Sequence, residues 1–388
     1  MKKLLLCTLM ASSLLSTAAM ANYEVRLPFG ATSAVASAPV ETVSSVGSNI
    51  AAGMFATAYV KSDGTLWQTG YNGYGQLGDG TVTNQNSFID SGLSDVVSVG
   101  LGSYTSYAIK ADGSLWVAGR NNYSQAMTGD SVDKHDFVDT GITGIDDIFH
   151  LGNSTMILKS GGNLWVGGRN SYGQLGLGDT VSRSTLVDTG ITGVTAMSGG
   201  FYHAGIIKAD GSVWAAGHAT YGALGVGASG HLNVFTDTGV TNAKSISFAG
   251  YNSWVLKNDG TVWVTGQNNA YQMGITGTQD RHSYLQLGLG DVKEIFAGRS
   301  FTYLLKNDGS LWRAGTNVNG QLSAGSASTI TSFQDMGVSD VVNVITGGRH
   351  AILIKADGTA WITGDNIFGQ LGLGDGANRT TMVEMVLP

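Results

Sequence analysis

Lys110-Ala-Asp-Gly-Ser-Leu-Trp-Val-Ala-Gly119 is one of seven versions of a single segment. The others carry their Trp at Trp67, Trp165, Trp214, Trp263, Trp312 and Trp361, so that with Trp116 the spacing is 49 residues throughout. Of the eight Trp, only Trp254 lies off this comb. Gly stands three residues before each periodic Trp, preceded by Asp in six copies and by Gly161 in the other, and a Lys (Lys61 to Lys355) stands three residues before that Gly. Asp-Gly between two apolar runs signals a tight hairpin, with positive φ expected at both central positions. An aliphatic strand end precedes each Lys, as in Val60, Ile109 and Leu158. The residue two after each Trp is always small (Thr69, Ala118, Gly167, Ala216, Thr265, Ala314, Thr363), as close packing beside a large ring requires. Further apolar runs lie before (Val96-Val97-Ser98-Val99) and after (Phe137-Val138-Asp139), giving four strands per period. The period and patterning predict an all-β fold, a seven-bladed β-propeller of four-stranded blades with each periodic Trp buried.

Composition agrees with that architecture: 58 Gly and 3 Pro suit many tight turns, and no amphipathic helical stretch interrupts the repeats. The N-terminus is different in kind. Lys2-Lys3, an apolar run over residues 4–20 and Ala19-Met20-Ala21 have the form of a secretory signal peptide, 1–21. The run is too short for a membrane anchor and no second one follows, so no membrane span is expected. Cys7, with Leu6 before it, is unsuited to lipid attachment. Cleavage after Ala21 removes the only Cys and two Lys, taking the formal net charge from −7 to −9. An acidic, exported chain (periplasmic or extracellular) without thiols lacks the basic field that nucleic-acid binding needs. Residues 22–38 have no counterpart in the repeat and read as a linker or strap before the propeller at 39–388. Pro39-Val40-Glu41-Thr42 and Met382-Val383-Glu384-Met385 both share the phase of Phe88-Ile89-Asp90-Ser91, so either end can supply the last outer strand.

A second motif follows each Trp strand. Asn72-Gly-Tyr-Gly-Gln-Leu-Gly78 returns as Asn170-Ser-Tyr-Gly-Gln-Leu-Gly-Leu-Gly-Asp179 and Asn366-Ile-Phe-Gly-Gln-Leu-Gly-Leu-Gly-Asp375, with weaker copies at Asn121, Ala219, Asn268 and Asn317. Together with Asp-Gly-x-Leu-Trp-x-x-Gly, it resembles the repeat of the regulator of chromosome condensation family, in phase across residues 39–388. The resemblance implies a seven-bladed propeller. It does not imply guanine-nucleotide exchange, since the unbroken period leaves no room for the projecting wedge associated with that activity. The plant ultraviolet photoreceptor of this fold is matched only by Gly347-Gly-Arg-His-Ala351, which lacks its Trp. By compartment, the secreted bacterial propeller that inhibits β-lactamases is the nearer analogue, in fold and export only.

Strand alternation puts the Asp-Gly hairpins on one face and the second motif, with the turn before each Lys-bearing strand, on the other. The hairpin face hardly varies, and its Lys read as solvated, locally paired side chains. The opposite face changes from blade to blade and carries Phe55, Tyr104, Phe201, Tyr202, His203, Tyr251, Arg299, Phe301, Arg349 and His350. Aromatic and Arg side chains dominate binding hot spots, so these are the candidate binding residues; local lids over the sheet are the alternative. The recurring aromatic of the second motif (Tyr74, Tyr123, Tyr172, Tyr221, Phe368) reads as framework, and Trp254 as core or channel filling.

Catalytic signatures are absent or spurious. Gly73-Tyr-Gly75-Gln-Leu-Gly78 matches a dinucleotide fingerprint but belongs to the repeat, with no helix pattern behind it. The seven His are dispersed, and no cofactor, metal or catalytic residue is expected. The sequence therefore points to an exported, monomeric, non-catalytic scaffold for a protein or glycan partner. The alternative is an exported lyase or hydrolase using His203, His350 and loop carboxylates around the axial channel.

Overall fold

A computed structural model of the chain describes residues 49–227 and 230–388. The signal segment 1–21, the linker 22–38 and the early strand phase at 39–45 lie outside the described residues. Twenty-eight strands form seven antiparallel sheets, each built from four consecutive strands, in an all-β seven-bladed propeller. The blades span 50–90, 96–139, 147–188, 194–237, 243–287, 292–335 and 341–384. Among the described residues the one helical element is a short 3-10 turn, Thr220–Gly222. The C-terminal strand Arg379–Glu384 pairs with Ala360–Gly364, so the C-terminus supplies the outer strand of the last blade.

The hairpin turn differs from the two-residue form expected. The Gly64 N–H donates to the Lys61 carbonyl (2.9 Å) and the Lys61 N–H to that of Thr65 (2.9 Å), enclosing a three-residue loop. Only Gly64 takes a positive φ, +82°. Asp63 instead turns its carboxylate back to accept from the N–H (3.0 Å) and hydroxyl (2.7 Å) of Thr65. Those two donors hold its carboxyl below the usual range. The Thr65 hydroxyl in turn accepts from the Trp67 indole at 3.1 Å. This Asp–hydroxyl–indole relay recurs in every blade but the third, where Gly161 replaces the Asp.

The periodic Trp are half-buried, a correction to the sequence expectation, and their Lys are not simply solvated. In all seven blades the Lys ammonium lies over the indole, from 4.0 Å for Lys208 on Trp214 to 5.1 Å for Lys110 on Trp116. Each stack contributes about 0.5–1 kcal/mol. Six of the indoles pack on the apolar cluster shared with the preceding blade. The fully buried Trp is Trp254, wedged between blades five and six with its ring 6.2 Å from Phe333.

The second motif joins the blades. Asn72 is fully buried: its Oδ1 accepts from the Leu77 N–H (2.9 Å), and its Nδ2 donates to Asp79 Oδ1 (2.9 Å) and the Thr81 carbonyl (3.1 Å). Gln76 Oε1 accepts from the Tyr74 N–H at 3.1 Å. A rigid loop results, and it reaches the next blade, where the Gly80 N–H donates to the His135 carbonyl at 3.0 Å. Equivalent bonds occur at five other junctions, including Gly374 to Asn86 between the last blade and the first. Blade four lacks both polar anchors, having Ala219 and Ala223, and takes the 3-10 turn instead.

Packing at each junction is matched residue to residue. The loop position occupied by Gly78 has a left-handed backbone, and a Cβ there would strike the Phe137 ring of the next blade. Gly176, Gly225, Gly274 and Gly372 face Phe235, Tyr284, Phe333 and Phe88 in the same way. The two junctions without Gly also lack the ring. Met127 packs with Leu186, where the small residue of the comb is Gly167, and the Ser323 hydroxyl accepts from the Met382 N–H at 2.8 Å. The small residue two after each Trp lies under this contact, which explains its size: a Cβ on Gly78 would sit 3.3 Å from that of Ala118.

Removing a buried anchor leaves an enclosed backbone N–H without an acceptor, at about 1–3 kcal/mol per group. Asn170→Ala, which orphans the Leu175 N–H, is expected to lower unfolding free energy in urea by about 3 kcal/mol. Ala219→Ser, at the blade already without the anchor, should cost under about 1 kcal/mol; equal losses at both sites would contradict this role.

Candidate functional site

The ten sequence candidates separate by burial. His203, Phe301 and His350 are fully buried and offer a partner no surface, a correction to the sequence expectation. They share one phase, at the start of the second strand, and each ring lies where a Cβ on the preceding turn glycine (Gly200, Gly298 or Gly347) would be. The two histidines are latches between blades. The Thr57 hydroxyl donates to the Gln370 carbonyl (2.6 Å), so it must accept from His350 Nε2–H at 3.1 Å. The Ser253 hydroxyl donates to the Ala223 carbonyl (2.6 Å) and likewise accepts from His203 Nε2–H at 3.1 Å. In both rings Nδ1 is enclosed without a partner, so a second proton would have no acceptor. Burial accordingly lowers both pKa values to about 4. Neither histidine is set among carboxylates, and among the described residues no three His, Cys, Asp or Glu gather as a metal-holding group.

The remaining candidates form two groups on the face opposite the Asp-Gly turns. Phe55 lies 5.9 Å from Tyr104, with the Arg349 guanidinium 5.7 Å from its ring. Across the disc, Tyr202 lies 6.2 Å from both Phe201 and Tyr251, and Arg299 caps Phe201 at 5.3 Å. All are half-buried except Arg299, which is exposed.

Residues that the sequence reading missed join the two groups into one arc. Tyr71 packs against Phe55, Tyr74, Tyr104 and Phe368 at 4.9–6.3 Å. Arg120 lies 4.8 Å from the Tyr74 ring, 5.6 Å from Tyr104 and 5.8 Å from Tyr123. Arg169 lies 4.6 Å from Tyr123, 5.5 Å from Tyr172 and 4.9 Å from Tyr202. His218 then bridges Tyr172 (4.8 Å), His231 (4.6 Å) and Tyr251 (5.5 Å). Burial, with the neighbouring His231 second, lowers the His218 pKa to about 4. Burial also raises Tyr71 and Tyr251, with nearby phenols adding to the shift. The recurring loop aromatics, read from sequence as framework, are half-buried members of this arc.

A signal for the missing residues was present. Tyr71, Arg120, Arg169, His218, Gln267, Thr316 and Asp365 occupy one phase, between the constant Gly that ends the Trp strand and the motif Asn. Their variation within a constant frame is the criterion that selected the turn residues. The arc therefore fades at blades five and six, where that phase is Gln267 and Thr316. Inside it, a cavity of about 230 Å³ follows the axis, lined by first-strand residues such as Ile246, Phe248 and Val344, with Met54, Phe201 and Arg299 in its lining from the same turns.

Charge is distributed unevenly over these loops. Asp130, Asp179 and Asp375 are each held by Lys134, Arg183 or Arg379 at 2.6–2.8 Å. Arg349 reaches the buried Asp365 at 3.7 Å. Among the described residues no carboxylate lies within ion-pair distance of Arg120, Arg169 or Arg299.

Comparison with known proteins agrees with the geometry. Residues 96–125 match the family model for the regulator of chromosome condensation (RCC1) repeat. Yeast RCC1 (Prp20), solved with Kap60 bound, superposes with a TM-score of 0.74 at 15% identity, over 94% of this chain and 90% of that one. Human WBSCR16 gives 0.69 at 20% identity, over 81% and 88%. Prp20p from Saccharomyces cerevisiae, described with its binding to Gsp1p and histones, gives 0.68 at 16% identity, over 78% and 81%. No curated protein sequence matches the chain. Among the described residues no helix is long and apolar enough to cross a membrane.

The latch histidines have a consequence for acid stability. Their folded pKa of about 4 lies below the usual 6.5, so the unfolded chain binds protons first as pH falls. Stability should be level above about pH 6.5 and fall between about 6.5 and 4, by roughly 2–3 kcal/mol per ring at most. Urea midpoints measured through this range should drop steeply in the native sequence and less in His203→Gln with His350→Gln. Equal slopes would show that the rings are not the titrating groups.

Proposed function

We propose that this chain is a member of the regulator of chromosome condensation repeat family, whose repeat model residues 96–125 match, and that it is an exported, monomeric and non-catalytic binding propeller whose partner docks across the aromatic and arginine arc. One observation carries the reading: side chains from blades that share no strand form a single continuous surface. Framework contacts do not require these residue types, because the buried Asn and Gln already fix the loops. Half-buried rings and planar guanidinium groups are also the groups whose burial by a partner contributes most to affinity.

A protein partner is favoured over a neutral glycan. Stacking on a sugar needs open ring faces, and here Tyr74, Tyr123 and Tyr202 each have a guanidinium over one face. One protein of this fold, yeast RCC1 (Prp20), is described with protein partners, Kap60 in one structure and Gsp1p and histones in another, which supports the same class here.

Tyr202→Ala with Tyr251→Ala should weaken partner binding roughly tenfold or more, measured by calorimetry on variants shown to be folded by near-ultraviolet circular dichroism. Lys110→Glu with Lys208→Glu, on the opposite face, should change affinity less than about twofold. Loss with the Lys pair and not the Tyr pair would assign the wrong face.

Export is proposed from Lys2-Lys3, the apolar run and Ala19-Met20-Ala21. Intact-mass spectrometry of protein recovered outside the cytoplasm should give a chain beginning at Asn22 without a lipid adduct; a retained leader would contradict the assignment.

A further inference from the structure

We infer that the arc recognises an extended acidic segment of a partner protein, with carboxylates seated on Arg120 and Arg169. This rests on the docking face proposed above and adds the chemistry of what docks. The Arg120 guanidinium lies 4.8–5.8 Å from the centres of three phenol rings, and no hydrogen bond from it is made to the protein among the described residues. Arg169 uses only Nε, donating to the Ser171 hydroxyl at 2.9 Å. Contact with aromatic rings uses none of a guanidinium's N–H groups, which remain as a planar fork suited to a carboxylate. These are pre-positioned cations with unused donors, in a chain whose net charge is −7.

Arginines on the strands show what a satisfied guanidinium looks like here. Arg183 and Arg379 each hold a carboxylate four residues away. Arg313 donates to the Leu322 and Ser323 carbonyls. Arg120 and Arg169 have no carboxylate or carbonyl partner of this kind and lie against rings instead. Their desolvated flanks strengthen any ion pair made from outside.

Spacing defines the segment. The Tyr123 ring centre is 5.8 Å from one guanidinium and 4.6 Å from the other, so the two charges are at most about 10 Å apart. In an extended chain, carboxylates two or three residues apart are separated by about 7–10 Å. The phenol and imidazole edges of Tyr74, Tyr172 and His218 flank this pair, and exposed Arg299 adds a further cation on the same face.

The test uses fluorescein-labelled deca-glutamate, followed by anisotropy with the full chain at low ionic strength, beside a labelled heparin-derived oligosaccharide. The peptide should bind more tightly than the oligosaccharide, and salt should weaken it. Arg120→Gln with Arg169→Gln should reduce affinity roughly tenfold or more. Arg120→Lys with Arg169→Lys should lose part of it, because charge stays while the planar fork goes. Arg183→Gln with Arg379→Gln, removing the same charge from paired sites, should leave it unchanged. Absence of peptide binding, indifference to the Arg120 and Arg169 variants, or tighter binding of the oligosaccharide overturns the inference. A protein captured on the immobilised chain separates the two readings. If Tyr202→Ala with Tyr251→Ala loses it and the Gln pair keeps it, the acidic segment fails and the docking face stands. If both variants keep it, the face itself is wrong.

Discussion

The structure depends on the contact between the left-handed residue of each loop and the outer strand of the next blade. A four-stranded blade has an exposed edge, and the loop from its neighbour covers part of that edge with backbone hydrogen bonds. The contact is close only because Gly meets an aromatic ring at five junctions, while Met127 and Ser323 meet Leu186 and Met382 at the other two. Volume is conserved across each interface although the individual residues are not. Placing a ring opposite Met127, or a side chain opposite Phe137, would overfill a site with no room to yield.

Buried amides make that contact dependable. Asn72 and its equivalents close the loop through their own backbone, so its shape does not depend on the residues that face solvent. Three phases are thereby freed from structural duty: the turn before the second strand, the residue before the Asn and the residue two after it. Aromatic and arginine side chains collect at these phases over blades seven to four, with Tyr251 and Arg299 continuing the turn phase into blades five and six, and they pack on one another. Binding chemistry and folding chemistry thus occupy interleaved but separate positions of one repeat.

The fold was legible because its determinants are local and repeated: the comb of Trp, the Asp-Gly turns and the small residue two after each Trp. What misled was the equation of regular with buried. The periodic Trp recur because each is covered by a Lys and all but Trp165 are held by a hydroxyl, and both interactions work at the surface. The truly buried Trp254 is irregular because it answers a local need between two blades. His203 and His350 looked like surface residues because they vary between blades. They vary because blades differ in which hydroxyl the ring must reach and whether the turn glycine leaves space for it. Arg120 and Arg169 went unseen since each stands beside a strongly patterned motif, where attention falls on what is constant. Their pairing across blades is a property of curvature, which no linear reading contains.

Every blade is made from four consecutive strands, and the seventh meets the first through the same loop hydrogen bond that joins five other pairs of blades. The ring is therefore closed between blades seven and one by a contact used elsewhere in it. Growth by copying a whole blade requires only that the new loop and ring fit their neighbours, and blade order is then written in side-chain volumes and not in the path of the backbone.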